Sequence, residues 1–420
     1  MLMHRRAEMS ARKPNWGKTP WEITFRAKAA PLPKAVDFAI VGGGFTGLAA
    51  AAWLARMAPR KSVLVLEAGR LGNGASGRTG GMALAETAAG KLPGLGDVLS
   101  GYRKILRELG VAADVDLRGV WEIARGERSM EGKAVRPLKN SPIDWSDSGW
   151  VRAVEKVAGG TVDPGKVISG LAKAAVKSGA QIVEEAEVLK MEFGNPIRLH
   201  VGRKVNGSDR VKIVSASQVL LATNAGSLEL AGELYARGDS AEPKLTFAVA
   251  TAPLTKKQLA AIGIGSGRPF YSVDLPYLWG RRMKNGGMIF GSGLVPGFAE
   301  SIRENAAGRN TERTRVKKVW SGLEQLDVRR SEPAERLKSL EQRVRGLHPA
   351  LTNMRVTHRW GGPILLTKDF VPTFRRHPKN KNVIVLGGYS GHGVALSVYL
   401  GKWTAEALLE KKSVPKWAAL

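Results

Sequence analysis

Apolar residues in this chain come in short runs broken by glycine and charge, and the runs alternate between two lengths. Residues 36–41 (Val-Asp-Phe-Ala-Ile-Val) and 63–66 (Val-Leu-Val-Leu) are near-continuous apolar stretches of the kind that form strands buried in a parallel sheet. Between them, the alanine-rich residues 48–57 have the length and composition of a helix, which completes a βαβ unit. Asp163 followed by Pro164 supplies an N-cap and a first helical position for a helix reaching Lys177, and Gly179 supplies its stop. A strand is expected at 181–183, and a β-meander over 187–222 that turns at Asn206-Gly207. Further strand-like pieces lie at 246–250, 271–273 and 288–290, and charged helix-like sequence fills 311–346. The last unit, 382–409, is again strand, glycine turn and helix. No repeat of fixed period is present.

Composition narrows the class. The chain has 420 residues, 43% hydrophobic and 24% charged, enough apolar material for a large core and about two or three domains. It contains no cysteine, which excludes disulfides, thiolate metal sites and cysteine nucleophiles and suits a reducing, cytoplasmic setting. The six histidines show no metal-ligand spacing, so no metal is expected. Lys and Arg number 65 against 37 Asp and Glu, a net charge of +28. The basic pairs are scattered among acids, which is the pattern of a solvated cationic surface rather than a nucleic-acid site. Residues 38–55 are uncharged and imitate a membrane span, but the triplet Gly42-Gly43-Gly44 argues for a strand turning sharply into a helix. Residues 1–35 form a basic leader without a signal-type apolar core; Trp16 and Trp21 suggest that 16–28 pack on the body.

Two glycine clusters carry the chemistry. Gly42-Gly43-Gly44-Phe45-Thr46-Gly47 fits G-x-G-x-x-G between a strand and a helix, with Glu67 ending the next strand. Such glycines let main-chain N–H groups approach a pyrophosphate at a helix start, and the acid accepts hydrogen bonds from ribose hydroxyls. Gly387-Gly388-Tyr389-Ser390-Gly391-His392-Gly393 repeats the device before the last helix. Two such corners favour one extended dinucleotide held from both sides. His392 is read either as part of that site or as a hydrogen-bonded helix-start residue.

These clusters, with Gly74-Ala75-Ser76-Gly77-Arg78-Thr79-Gly80-Gly81, Ala222-Thr223-Asn224-Ala225-Gly226 and Trp360-Gly361-Gly362, resemble the FAD-dependent D-amino acid oxidase superfamily over about residues 36–412. The branch of sarcosine oxidase and γ-glutamylputrescine oxidase-like enzymes is the most similar. The resemblance implies an α/β fold: a Rossmann-type FAD-binding domain with a parallel sheet (36–95, 150–240 and 364–412) plus an α+β substrate domain with a mostly antiparallel sheet (96–149 and 241–363). It implies FAD bound by Gly42, Gly44, Phe45, Thr46, Gly47 and Glu67, with Ala75, Ser76 and Arg78 bordering the flavin. Val188 would offer backbone to the adenine, and Thr223, Gly388, Gly391, His392, Gly393 and Val394 would complete the site. The implied activity is oxidation of the CH–NH bond of an amine or amino acid, with oxygen or another acceptor taking the electrons. A quinone or protein acceptor, and a flavoprotein that binds nucleic acid, are the alternatives.

Departures from the family pattern are informative. Without cysteine the flavin is expected to be non-covalent. Ile289 stands where sarcosine oxidase-like members carry a lysine over the ring, and Leu84 and Ala395 stand near positions of carboxylate-binding cations. Tyr277, Trp279, Trp360, Tyr389 and His392 are the candidates for the substrate face, with core packing as the alternative for each aromatic. Arg281 and Arg282 could hold an acidic substrate group, although a paired arginine at a strand end is more often solvated.

Overall fold

The structure, a computed structural model, describes residues 15–124, 143, 145, 153–205, 208–231, 241–273, 277–296, 327–415 and 417. An eight-stranded sheet contains β1 (Ala35–Val41), β2 (Val63–Leu66), β7 (Gln181–Val183), β8 (Glu187–Glu192), β9 (Ile197–Val205), β10 (Ser208–Leu221), β16 (Thr373–His377) and β17 (Asn380–Gly387). Strands β17, β10, β1, β2 and β7 run parallel in that spatial order. Strand phase decides which core each side chain enters. Phe38, Ile40, Val63, Val65, Leu220 and Ile384 join one buried cluster, while Ala39, Val41, Leu64, Leu66, Val219, Leu221, Val383 and Val385 join another on the opposite face.

Helices cover the first face: α1 (Phe45–Met57), α2 (Val98–Glu108), α3 (Pro164–Lys177) and α7 (Gly393–Leu408). The meander of β8, β9 and the first part of β10 covers the second. Between them, α4 (Ser227–Leu230) follows β10. Helix α1 starts at Phe45, earlier than the alanine run suggests, because close packing rather than propensity sets its first turn. A Cβ on Gly47 would lie 2.0 Å from the Gly42 carbonyl oxygen. On the outer side, a Cβ on Gly401 of α7 would meet the Thr46 carbonyl at 2.7 Å, so the two helices cross with almost no side chain between them. Helix α3 begins as expected, with Asp163 Oδ1 accepting the Lys166 N–H at 2.9 Å and Pro164 in the first turn.

The second sheet has seven strands in the order β15-β11-β14-β13-β12-β4-β5: β4 (Val120–Ala124), β5 (Ala153–Val157), β11 (Ala241–Thr251), β12 (Phe270–Ser272), β13 (Trp279–Arg282), β14 (Met288–Pro296) and β15 (Val356–Thr367). It is antiparallel except for the β12–β4 pair. Helices α5 (Lys256–Ala261) and α6 (Ser331–Gly346) pack Leu259, Leu337, Leu340 and Val344 against Phe247, Val249 and Phe290 of this sheet. A small ribbon, β3 (Met82–Leu84) with β6 (Gly159–Thr161), completes the strands. This is the α/β architecture expected, with two boundaries moved. Helix α2, assigned with the substrate part, buries Val98, Tyr102, Ile105 and Leu106 in the helical core of the parallel sheet. Strand β5, assigned with the cofactor part, pairs with β4 in the antiparallel sheet. The Asn206-Gly207 turn and residues 311–326 lie outside the described residues.

The basic leader is no loose tail over its described part. Asn15 donates its N–H to Asp327 Oδ2 at 3.0 Å, Gly361 donates to the Trp16 carbonyl at 2.8 Å, and Trp21 Nε1 donates to the Gly77 carbonyl at 2.7 Å. Residues 15–25 therefore run across both sheets like a strap. Among the described residues no helix is long and apolar enough to cross a membrane.

Candidate functional site

Because β1, β2, β10 and β17 run parallel, their carboxyl ends meet at one edge of the sheet, and both glycine corners leave the sheet there. At the first corner Gly42 has φ +112°, and a Cβ on it would lie 2.7 Å from the Ala222 carbonyl oxygen. Only glycine permits this approach of β1 to the end of β10. Glu67 closes the loop: Oε2 accepts the Gly43 N–H at 2.8 Å and Oε1 accepts the Gly69 N–H at 2.9 Å. Its main chain bonds Val183 and Ala186, which sets β8 and buried Val188 close beside it. Ser76 Oγ accepts the Phe45 N–H at 3.0 Å and lies 2.8 Å from where a Cβ of Gly44 would be, so Ser76 supports the start of α1 directly.

At the second corner Gly388 and Gly391 have φ of +68° and +89°. Asn224 Oδ1 accepts the Gly388 N–H at 2.9 Å, while Thr223 shares a 2.8 Å hydroxyl contact with Ser227. Ser390 Oγ accepts the Thr367 N–H at 3.1 Å and ties the corner to β15. Helix α7 then starts after His392, whose side chain makes no capping bond. Burial lowers the His392 pKa, against the opposing pull of the Ser390 carbonyl and Glu86, so the ring is neutral at pH 7. Val394 is buried in the helical core.

A direct bond joins the two corners. Thr46 Oγ1 and Tyr389 OH lie 2.7 Å apart, 343 residues distant in sequence. Neither α1 nor α7 has an N-cap side chain bonded to its first turn, which leaves two helix starts, each the positive end of a dipole, on one edge. Glycines that exclude Cβ atoms, and helix starts whose N-cap residues supply no side-chain bond, form a donor set suited to an extended, doubly phosphorylated dinucleotide, and the residues present therefore fit FAD.

The aromatic candidates separate. Trp279 lies against the glycine-rich segment: Cβ atoms on Gly80 and Gly291 would meet its ring at 2.2 and 2.0 Å. Tyr277 is 37% exposed at the near end of the same strand segment. Trp360, in contrast, is 1% exposed, donates Nε1–H to the Arg78 carbonyl at 2.9 Å, and meets the Trp21 ring edge-on at 5.6 Å. It braces the 73–81 segment. Arg78 is likewise engaged: its Nη1 donates to the Trp16 and Gly17 carbonyls at 3.1 and 2.9 Å and its Nε to Asn73 at 3.0 Å. Burial lowers its pKa to about 10, still fully cationic at neutral pH. Ala75 sits in the same short helical turn, Ala75–Gly77. Ile289 is fully buried in a cluster with Ala248, Ala250 and Trp360, on which Trp21, Trp279 and Met283 pack.

Two contributors have no sequence signal of their own. Glu184, 9% exposed, accepts the Leu71 N–H at 2.8 Å through Oε1 and steadies the loop after Glu67. The strap carbonyls of Trp16 and Gly17 are main-chain atoms, invisible to any reading by residue type.

The family model described as FAD dependent oxidoreductase matches residues 37–407. Probable oxidoreductase OrdL of Haemophilus influenzae is 26% identical over 411 residues, covering 89% of this chain and 83% of its own length. Gamma-glutamylputrescine oxidoreductase of Escherichia coli is 26% identical over 408 residues, with the same two coverages of 89% and 83%. Glycine oxidase of Geobacillus kaustophilus superposes with a TM-score of 0.65 at 18% identity, covering 91% of this chain and 96% of its own, a likeness of fold.

Proposed function

Because the chain belongs to the family of FAD-dependent oxidoreductases, we propose that it oxidises the carbon–nitrogen bond of an amine or amino acid, holding FAD non-covalently. The observation that carries this reading is the Thr46–Tyr389 contact, which ties both glycine corners into one edge beside the Trp279 face of the second sheet. FAD, when bound, supplies a flavin N5 that takes a hydride from the carbon next to the amine nitrogen. The substrate, having lost that hydride and a proton from nitrogen, is left as an imine that water hydrolyses to a carbonyl compound and a free amine or ammonia. The main chain of residues 42–47 would hold the pyrophosphate and Glu67 the ribose. Trp279 would exclude water and orient the amine, and neutral His392 would adjoin the pyrimidine end of the ring without adding charge. No strong acid–base pair is required, since the substrate can react as the neutral amine.

Buried Ile289 favours a second reading of the oxidative half-reaction, in which a quinone or a protein, rather than oxygen, removes the electrons. One experiment addresses both steps. The purified protein should be yellow and should bleach under nitrogen with at least one member of an amine and amino acid panel. On admitting oxygen, colour should return slowly, and faster with a quinone. A preparation that takes up no FAD, or that no amine bleaches, removes the proposal; rapid recovery in oxygen removes only the second reading.

A further inference from the structure

The paired strands β9 and β10 concentrate positive charge at the end of the parallel sheet opposite the glycine corners. Strand β10 pairs with β1 from Ser215 to Leu221, so residues 208–214 run on past Ala35, beyond the amino end of β1. From Lys212 to Leu221, at the cofactor edge, the strand covers roughly 30 Å. In the β9–β10 register Arg203 stands directly opposite Arg210, and Lys212 opposite Val201. Alternation sends these four side chains to one face. There they meet Pro31 and Leu32, on the chain entering β1, around a cleft of about 210 Å³.

Nothing lining the cleft balances that charge. Arg203, Arg210 and Lys212 face it and no acid does, among the described residues. The side chains of Arg210 and Lys212 make no hydrogen bond or ion pair among those residues. The Arg203 guanidinium is fixed on one side, where Nη1 donates to the Ala30 carbonyl at 3.0 Å, yet its Nε is buried without a partner. Like charges directly across an antiparallel pair repel, and a buried N–H without an acceptor adds to the cost. The floor beneath them is apolar: Val201 and Leu32 are buried in the core on this side of the sheet. An anion seated between these cations over such a floor is screened less by water than one on an open face.

We infer that this cleft binds a phosphate group, carried either by a small soluble compound or by a lipid headgroup. The inference is independent of the amine reading, because the cleft lies at the other end of the sheet from the cofactor edge. Two forked guanidiniums and one ammonium suit the tetrahedral oxygens of a phosphate, each arginine spanning two oxygens and the lysine acting as a point charge. A carboxylate presents two oxygens in one plane and would leave one of the three cations unmatched. A space of about 210 Å³, several times the share of one water, accommodates a phosphate with a small substituent. Arg203 and Arg210 meet only because β9 and β10 pair, so the cluster has no counterpart among the basic pairs visible along the chain.

The test uses FAD-loaded protein, so that no empty pyrophosphate site competes, in sodium chloride at physiological ionic strength. Inorganic phosphate is titrated calorimetrically into wild type, R210Q, R203Q/R210Q and K256Q/K257Q, the last removing two charges from exposed positions on α5. Wild type and K256Q/K257Q should bind one phosphate per chain with equal affinity. R210Q should weaken binding on the order of tenfold and R203Q/R210Q should abolish it, with FAD content unchanged in both. Arg210 is exposed, so R210Q carries the test if the double variant does not fold. Vesicles of phosphatidylcholine containing phosphatidic acid, whose headgroup is a phosphate monoester, separate the two sources. Sedimentation with these vesicles, reversed by inorganic phosphate and weakened in R210Q, supports the site and assigns a lipid; phosphate binding without sedimentation supports it and assigns a soluble compound. Absence of saturable phosphate binding to wild type overturns the inference, as does undiminished binding to R210Q. So does an equal loss in K256Q/K257Q, which would reduce the effect to the attraction of the whole cationic surface.

Discussion

Trp360 and Trp279 are the same residue type on the same sheet, yet one braces a buried carbonyl and the other lies flat against Gly80 and Gly291. The difference lies in what each touches. The indole N–H of Trp360 satisfies the Arg78 carbonyl in a site that water does not reach, while its ring carries Trp21 of the strap. Trp360→Phe keeps most of the packing and deletes only the donor, leaving a buried carbonyl unsatisfied. It should destabilise the protein by about 1–3 kcal/mol in urea unfolding. FAD should dissociate more readily, because Arg78 and Ser76 sit on the segment that Trp360 holds. Wild-type stability in this variant would mean that the brace is not needed. The sequence named Trp360 as a candidate but not its role, since residue type says nothing of strand phase. Arg281 is hidden in the same way: a double arginine looks solvated until alternation in β13 sends one member inward and the other aside. Glu67 was legible because its position, at the end of the second strand after a glycine turn, follows from local geometry alone.

Elements were legible where their ends carry their own chemistry. Asp163-Pro164 and Gly179 mark both ends of α3, and the glycine corners mark the starts of α1 and α7. Helix α2 shows the limit: its apolar stripe of Val98, Tyr102, Ile105 and Leu106 demands a covering surface without saying which sheet supplies it. The start of α7 makes a pH-dependent prediction. Burial lowers the pKa of His392 below the ordinary 6.5, and the positive end of the helix dipole acts in the same direction. Well above pH 6.5 neither folded nor unfolded chain binds this proton, so the stability is fully present. As pH falls below 6.5 the unfolded chain takes up the proton first, and stability declines until the folded state also protonates at its depressed pKa. His392→Gln should flatten that part of the stability curve between pH 7.5 and 5, measured by urea unfolding. His358, lowered by burial and then by Lys18, contributes in the same window, and His358→Gln should remove its own share independently. An unaltered slope in His392→Gln would place the ring in contact with water instead.

At the scale of the whole molecule the cofactor edge is assembled from the beginning, middle and end of the chain: β1 and β2, β10, and β17 with α7. The strap adds a second tie, since Asn15 and Trp16 bond to the 327 and 361 segments while Trp21 and Thr24 bond to Gly77 and Ser169. Neither sheet can therefore open without disturbing the edge on which the two glycine corners meet. A ligand that binds only the folded state stabilises it by mass action, about 2.7 kcal/mol at one hundred times its Kd. Unfolding of the described body should accordingly be one cooperative transition that moves as a unit to higher temperature as FAD is added. ADP, which offers the pyrophosphate and ribose without the flavin, should move it less. Calorimetry that resolved two transitions, with FAD shifting only one, would show that the second sheet folds apart from the cofactor edge. The shared face between Trp279 and Gly80 would then be a contact of convenience and not the wall of a site.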